Sequence, residues 1–253
     1  MAVRSSLTGT LILLLFARLA SAAWSVSSSE TEKGSAAGLE HRHVVLTETA
    51  NGDEATIDLA LFSTKSAVLR VIDNPTGNED LGSVMRRVRG LAGVNGGYFD
   101  PQNAPVGLLI SDGKLIAPLR KARLLSGVLV VTKTCVEVIR AAEYSSRKNA
   151  IAAVQCGPFL VEGGKSVAGL NDTRPARRTF VFTSGADRGA VGFCSTVTLA
   201  QLADILATPE LKVQRALNLD GGSSSAFWFS GTNGVVSIPE QKTVRNFVVV
   251  APK

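Results

Sequence analysis

The order of apolar and polar positions divides the chain into short strand-like runs with few helices. From His41 onward, HRHVVLTE, ATIDLALFS and AVLRVID alternate or carry β-branched runs bounded by turn residues, the pattern of β-strands. Asp73-Asn74-Pro75-Thr76-Gly77-Asn78 is a turn cluster, and Leu81–Val88 (LGSVMRRV) places apolar residues at helical spacing. GLLISDGKLI contains Asp112-Gly113, a strong hairpin signal, and GVLVVTKTCVEVIR reads as two more strands. AIAAVQCGPFLVEGGK is an apolar strand, a glycine-proline break and a second hydrophobic piece. RTFVFTSG and AVGFCST form a further strand pair. Thr198–Ala207 (TLAQLADILA) is the clearest helix, with Thr196 or Thr198 as its cap and Pro209 beyond its end. ALNLDGG and VRNFVVVAP close the chain as strands. Many strands, few helices and no regular βαβ alternation predict an α+β fold, a single domain of twisted mixed β-sheet with a few flanking helices.

The first residues differ from the rest. Arg4 precedes an apolar stretch from Leu11 to Phe16, and Ala20-Ser21-Ala22 offers small residues at the spacing of a signal-peptidase site. Residues 1–22 are therefore expected to be a signal peptide, and the protein to be exported, periplasmic or secreted. The apolar stretch is too short to span a bilayer, so no membrane span is expected in the mature chain. Residues 23–40 are polar, small and aperiodic, which predicts a flexible lead-in to a domain over residues 41–253.

Composition narrows the chemistry. At 45% hydrophobic residues the chain can bury a sizeable core. The net charge is +6, of which Arg4 and Arg18 of the leader supply two, leaving +4. Basic clusters lie at Arg86-Arg87-Arg89, Arg120-Lys121-Arg123 and Arg174-Arg177-Arg178. Aromatics are only 6% and do not interleave with these clusters, so nucleic acid is not an expected partner; an anionic small substrate fits better. Cys135, Cys156 and Cys194 allow at most one internal disulfide. The two histidines, His41 and His43, stand at the start of the domain and read as an exposed strand end. No GxSxG elbow, Walker loop or strand-GxGxxG-helix is present, and the histidines and cysteines do not make a zinc set. No metal or cofactor is expected. Any catalysis must use carboxylates, arginine, amides and backbone N–H groups.

Four segments offer those groups. Asn95-Gly96-Gly97-Tyr98-Phe99-Asp100 ends a strand with an amide and two glycines that let the backbone approach a ligand, with Asp100 a candidate second carboxylate. Gln155-Cys156-Gly157-Pro158 pairs an amide with a sharp break. Arg177-Arg178-Thr179 starts a strand where a guanidinium could hold a phosphate bidentately. In NLDGGSSS (218–225), Asn218 and Asp220 point to the side opposite Leu217 and Leu219, and Gly221-Gly222-Ser223 can form an anion nest. Each alone reads as a turn or a surface charge; four that each end an apolar strand point to one site.

In these segments, AGVNGGYFD, AVQCGPFLVEGG, RRTFVF, TLAQLADILA leading into ALNLDGGSSS, and VRNFVVV, the chain resembles the phosphodiester glycosidase domain family. The resemblance runs in family order over residues 93–250. It implies hydrolysis of a sugar-1-phosphodiester, releasing sugar from a phosphorylated acceptor, with a small-molecule or glycan sugar phosphate as substrate. Carried over by position, Asp220, Arg178 and Asn95 are the implied catalytic residues. Gly96, Gly97, Gln155, Gly157, Thr179, Asn218, Gly221, Gly222 and Ser223 are the implied substrate-binding ones. Ser223 stands where the family usually has a third glycine; if that position needs φ > 0, serine strains it, and if it needs close approach, the hydroxyl narrows the pocket. The stretch after Arg178-Thr179 also lacks an expected glycine. The Ser223 departure favours an alternative, an exported non-catalytic module that binds anionic glycans or sugar phosphates.

Overall fold

The computed structural model describes residues 24–146 and 149–253; the expected signal peptide, residues 1–22, lies outside them. Four long strands come first: β1 (Trp24–Lys33), β2 (Leu39–Glu48), β3 (Glu54–Ser63) and β4 (Ala67–Asp73). Helix α1 (Leu81–Val88) leads into β5 (Ala92–Asn95), then β6 (Leu109–Ser111), β7 (Lys114–Ala117), β8 (Gly127–Val131) and β9 (Val136–Arg140). The second half holds β10 (Ala152–Cys156), β11 (Phe159–Glu162), β12 (Lys165–Ser166), β13 (Ala176–Thr183) and β14 (Arg188–Val197). Helix α2 (Leu199–Leu206) precedes β15 (Arg215–Asn218), β16 (Phe227–Ser230), β17 (Val235–Ile238) and β18 (Asn246–Pro252).

These strands form three sheets. An eight-stranded sheet runs β1-β2-β3-β14-β13-β15-β11-β12, and two five-stranded sheets run β7-β6-β10-β8-β9 and β17-β16-β5-β18-β4. The α+β class and single domain are as expected. The pairing is not mixed: every ladder between described strands is antiparallel, because neighbours are joined by hairpins or long returns and no helix crosses over between parallel strands. One face of each sheet meets in a common core, where Leu69, Val94, Val154, Leu217 and Phe227 are almost fully buried. Among the described residues no helix is long and apolar enough to cross a membrane.

Local chemistry explains the element ends. Asp80 caps α1 by accepting from Ser83 N at 2.6 Å, and Arg89 closes it in the left-handed region. Helix α1 buries Leu81, Val84 and Met85, and Gly93 below it is forced: a Cβ there would lie 2.7 Å from the Met85 sulfur. Thr198 and Gln201 make a reciprocal capping box on α2. The Asp112-Gly113 turn between β6 and β7 has φ of 47° and 76°, the two positive values a type I′ hairpin requires.

Two expectations about the first strands are corrected. Residues 24–33, expected as part of a flexible lead-in, form β1, paired with β2 from Trp24↔Glu48 to Lys33↔Glu40 across one bulge between Val26 and Ser28. Their polar composition reflects an edge strand whose outer face is solvated. His41 is not an exposed strand end either. It is buried against Phe227 and Phe229, with Nε2 3.0 Å from Asp58 Oδ1, and His43 Nδ1 approaches the same oxygen at 2.9 Å. The register sets this up, since His43 stands opposite Asp58 and His41 lies two positions along on the same face. Burial alone would raise the Asp58 carboxyl, but the two histidine hydrogen bonds outweigh it and hold it below its ordinary value.

An aspartate with a depressed folded-state value adds stability that is present above the unfolded value, about 4, and lost as pH falls through the folded one. Asp58→Ala is expected to lower unfolding free energy at neutral pH by about 2–3 kcal/mol, since it strands two partners of a buried acceptor. Urea titrations at several pH values check this: the parent should lose stability below pH about 4 more steeply than the variant.

Candidate active site

Each sheet contributes a strand end to one junction. Strand β5 of one five-stranded sheet ends at Asn95, β10 of the other carries Gln155 and Cys156, and β15 of the eight-stranded sheet ends at Asn218 beside β13 with Arg178 and Thr179. The turn Asp220–Ser225 crosses the gap between them. Asn95 straps that turn at both ends, donating from Nδ2 to Asp220 O at 2.7 Å and accepting at Oδ1 from Ala226 N at 3.0 Å. Asp220 N donates to Gly96 O at 2.9 Å, so the turn is also sewn to the β5 end.

Several residues expected to touch substrate are instead consumed by the scaffold. Asn95 is completely buried and holds backbone. The N–H groups of Gly96 and Gly97 donate to Asn246 O and Asn246 Oδ1, both at 2.8 Å. Close packing explains these two glycines: a Cβ on Gly96 would sit 1.9 Å from Asn246 Oδ1, and one on Gly97 2.7 Å from Val154 Cγ2. Gln155 has no capacity left, because Oε1 accepts from Leu108 N and Arg120 N while Nε2 donates to Arg120 O and Leu125 O. Gly157 is packed against Leu124 O, 2.1 Å from where its Cβ would be. Asp100 Oδ1 caps its own loop through Gln102 N and Ala104 N, which ties this candidate second carboxylate to the loop through one of its oxygens.

A group of unpaired polar atoms lies in the segments that meet at Asp220. Arg178 is 9% exposed and holds only carbonyls, with Nε on Val197 O at 3.0 Å and Nη2 on Arg174 O at 2.6 Å. No carboxylate among the described residues pairs with it, and burial depresses its basicity. Nη1 makes no bond and lies 3.6 Å from where a Cβ at Gly221 would stand. Thr179 Oγ1, Asn218 Oδ1, Ser224 Oγ and Ser225 Oγ are buried without a hydrogen-bond partner. In the turn, Gly221 N donates to Asp220 Oδ1 and Ser224 N to Gly221 O, whereas the N–H groups of Gly222 and Ser223 make no bond among the described residues. Gly222 has φ of +66° with open space around it, so it is required for conformation rather than approach. Ser223 is absent from the left-handed region among the described residues, and its substitution for glycine therefore strains nothing.

Asp220 is half-buried. Burial raises its carboxyl above the ordinary value; the nearby Ser224 hydroxyl, Lys242 and the Gly221 N–H pull the other way without overcoming it. Ser224 acts here by proximity, since its hydroxyl reaches no hydrogen-bond geometry. Cys156 and Cys194 are free, fully buried and each pushed up to about 12 by burial, which removes them as nucleophiles.

Three residues not singled out from the sequence belong to this site. Tyr98 donates to Gly157 O at 2.5 Å and accepts from Asn218 Nδ2 at 3.3 Å. Burial, Cys156 and Asp220 push its phenol well above the ordinary value, and Asn218 and Arg178 oppose the shift. Asn246 braces the Gly96–Gly97 backbone, and Lys242, over the Phe99 ring at 5.2 Å, supplies the nearby cation of Asp220. Tyr98 and Asn246 both stood inside the quoted motifs, in NGGYFD and VRNFVVV.

A family model described as phosphodiester glycosidase matches residues 89–251, a span that contains every segment of this junction. The chain belongs to the phosphodiester glycosidase family. No curated protein sequence matches it. Among solved structures, the fold is similar to the zebrafish N-acetylglucosamine-1-phosphodiester α-N-acetylglucosaminidase catalytic domain, auto-inhibited by its pro-peptide. That match has a TM-score of 0.65 and 17% identity, and covers 89% of each chain. A hypothetical protein from Synechocystis matches at TM-score 0.57 and 16% identity, covering 85% of this chain and 62% of that one. A putative exported protein from Burkholderia pseudomallei matches at TM-score 0.59 and 13% identity, covering 79% and 75%.

Gly96→Ala should destabilise the fold by about 3 kcal/mol, because Asn246 must leave its bond to make room. Ser223→Gly should change stability by less than about 0.5 kcal/mol. Thermal unfolding of the two variants beside the parent checks both.

Proposed function

We propose that the protein is an exported hydrolase that cleaves the glycosidic bond of a sugar-1-phosphodiester and releases the sugar from a phosphorylated acceptor. The observation that carries this reading is Arg178, a buried guanidinium with no carboxylate partner, beside a turn with free N–H groups at Gly222 and Ser223. A buried cation without a counter-ion is expensive unless an anion joins it in the working state. Membership of the phosphodiester glycosidase family supplies the class of that anion. Export is supported by the basic, apolar and small-residue order of residues 1–22.

In this reading Arg178 Nη1 and the two free N–H groups hold the phosphodiester, above the buried polar atoms of Thr179, Asn218, Ser224 and Ser225. Asp220 carries the attack at C1, as nucleophile or as base to water. The C1–O bond breaks, its electron pair leaves with the phosphate, and water supplies hydroxyl to C1. A phosphomonoester is a good leaving group, so a second carboxylate acting as strong acid is unnecessary, in keeping with Asp100 being occupied by its loop. The configuration of the first-formed sugar separates the two roles of Asp220. Ser223 has no positive φ among the described residues, so backbone strain there does not favour the binding-only alternative.

Incubation with a panel of α-linked sugar-1-phosphodiesters should yield free sugar from the parent. Asp220→Asn should reduce kcat by about 10³-fold or more, and Arg178→Lys by about 10²-fold, the scale of losing one charge-stabilising donor. Turnover by Asp220→Asn at the parent rate would remove that residue from the reaction. Since burial raises the Asp220 carboxyl and the ionised form does the work, activity should fall as pH drops through a midpoint above the ordinary aspartate value.

A further inference from the structure

The loop between β7 and β8 carries a feature the reaction at C1 does not use. Within four residues it exposes Arg120, Lys121 and Arg123, and no described carboxylate pairs with any of them. Five other arginines have a carboxylate partner, Arg70 with Asp112, Arg87 with Glu79, Arg140 with Glu162, Arg215 with Glu143 and Arg245 with Asp73, whereas these three cations stand side by side. An unneutralised cluster of three like charges repels itself and is costly to hold in one place.

Yet this loop is held firmly, and by the site. The Gln155 amide, 1% exposed, clasps Arg120 through both N–H and C=O and reaches Leu125 O as well. Leu124 O packs on Gly157, and Ser126 Oγ accepts from Phe159 N at 2.8 Å. The carbonyl of the same Gly157 takes hydrogen bonds from Tyr98 and Asn218. Residues 120–125 are thus one backbone contact away from the side chains around Asp220. A buried amide with all four of its hydrogen bonds made fixes the backbone at Arg120 and Leu125, on either side of Lys121 and Arg123, next to the Gly157 turn.

We infer that residues 120–123 form a subsite for a second anionic group on the acceptor, so that the preferred substrate is a sugar-1-phosphodiester whose acceptor carries a further phosphate. This inference rests on the glycosidase reading. Charge complementarity selects the occupant, and the lack of any aromatic residue between Leu119 and Leu125 gives no platform for bases.

The test compares the parent with a Lys121→Ser/Arg123→Ser variant on two diesters of one sugar, with methanol or glycerol 3-phosphate as the acceptor alcohol. The parent should prefer the glycerol 3-phosphate diester in kcat/KM, and the preference should fall about tenfold in the variant, the scale of losing two screened charge contacts, and fade in the parent as salt is raised. An equal preference in parent and variant overturns the subsite. Calorimetric binding of inorganic tripolyphosphate to the parent, the loop variant and Arg178→Lys separates the two readings. If neither diester is cleaved but tripolyphosphate binding weakens in both variants, the glycosidase reading falls and the anion subsite stands. If the loop variant binds tripolyphosphate as the parent does, the subsite is overturned. Loss in the loop variant only of binding to phosphatidylglycerol vesicles would overturn it in favour of a membrane contact.

Discussion

Three sheets converge where no ladder can continue, and the polar backbone left at their ends must still be satisfied inside a dry core. Four buried amides do this. Asn95 ties β5 to the Asp220 turn, Asn246 ties β18 to Gly96 and Gly97, Gln155 ties β10 to the loop after β7, and Asn218 ties β15 to Gly157. A carboxamide donates and accepts at once, so it substitutes for a missing peptide group on both sides. An aliphatic replacement at Asn95 or Gln155 would leave donors and acceptors unpaired, at a cost of about 1–3 kcal/mol for each. The rest of the architecture depends on this arrangement, because without it the sheets have hydrophobic contact but no fixed relation at the junction.

The same junction explains the distribution of polar groups. Where a group is needed to close the scaffold it is fully bonded, as at Gln155. Where it is not, it is left bare around Asp220 and Arg178. Natural cores satisfy most buried polar atoms, so a cluster of unsatisfied ones beside an unpaired guanidinium marks a place prepared for something from outside.

Much of the fold was legible in the sequence. Helix α1, the Thr198 cap of α2 and the Asp112-Gly113 hairpin are local events governed by nearest neighbours, and they lie where the pattern put them. Strand β1 was not legible, because WSVSSSETEK gains its order from pairing with β2 rather than from any propensity of its own. The Asp58 bond to two histidines depends on cross-strand register, which no single segment encodes. The motifs located the junction correctly but not the division of labour within it. A glycine beside an amide reads the same whether it admits a ligand or another strand, and only the 1.9 Å approach to Asn246 tells which. Tyr98 was hidden by the same ambiguity, as one aromatic in a motif rich in turn residues.

The buried thiols bear on the chain's redox life. Cys156 belongs to β10 and Cys194 to β14, on different sheets, each sealed from solvent and with its proton held firmly. Thiolate is the species that enters disulfide exchange, and neither residue supplies it. The fold therefore needs no crosslink from these two positions and offers none, which leaves hydrophobic burial and the amide junction to hold it together in oxidising and reducing surroundings alike.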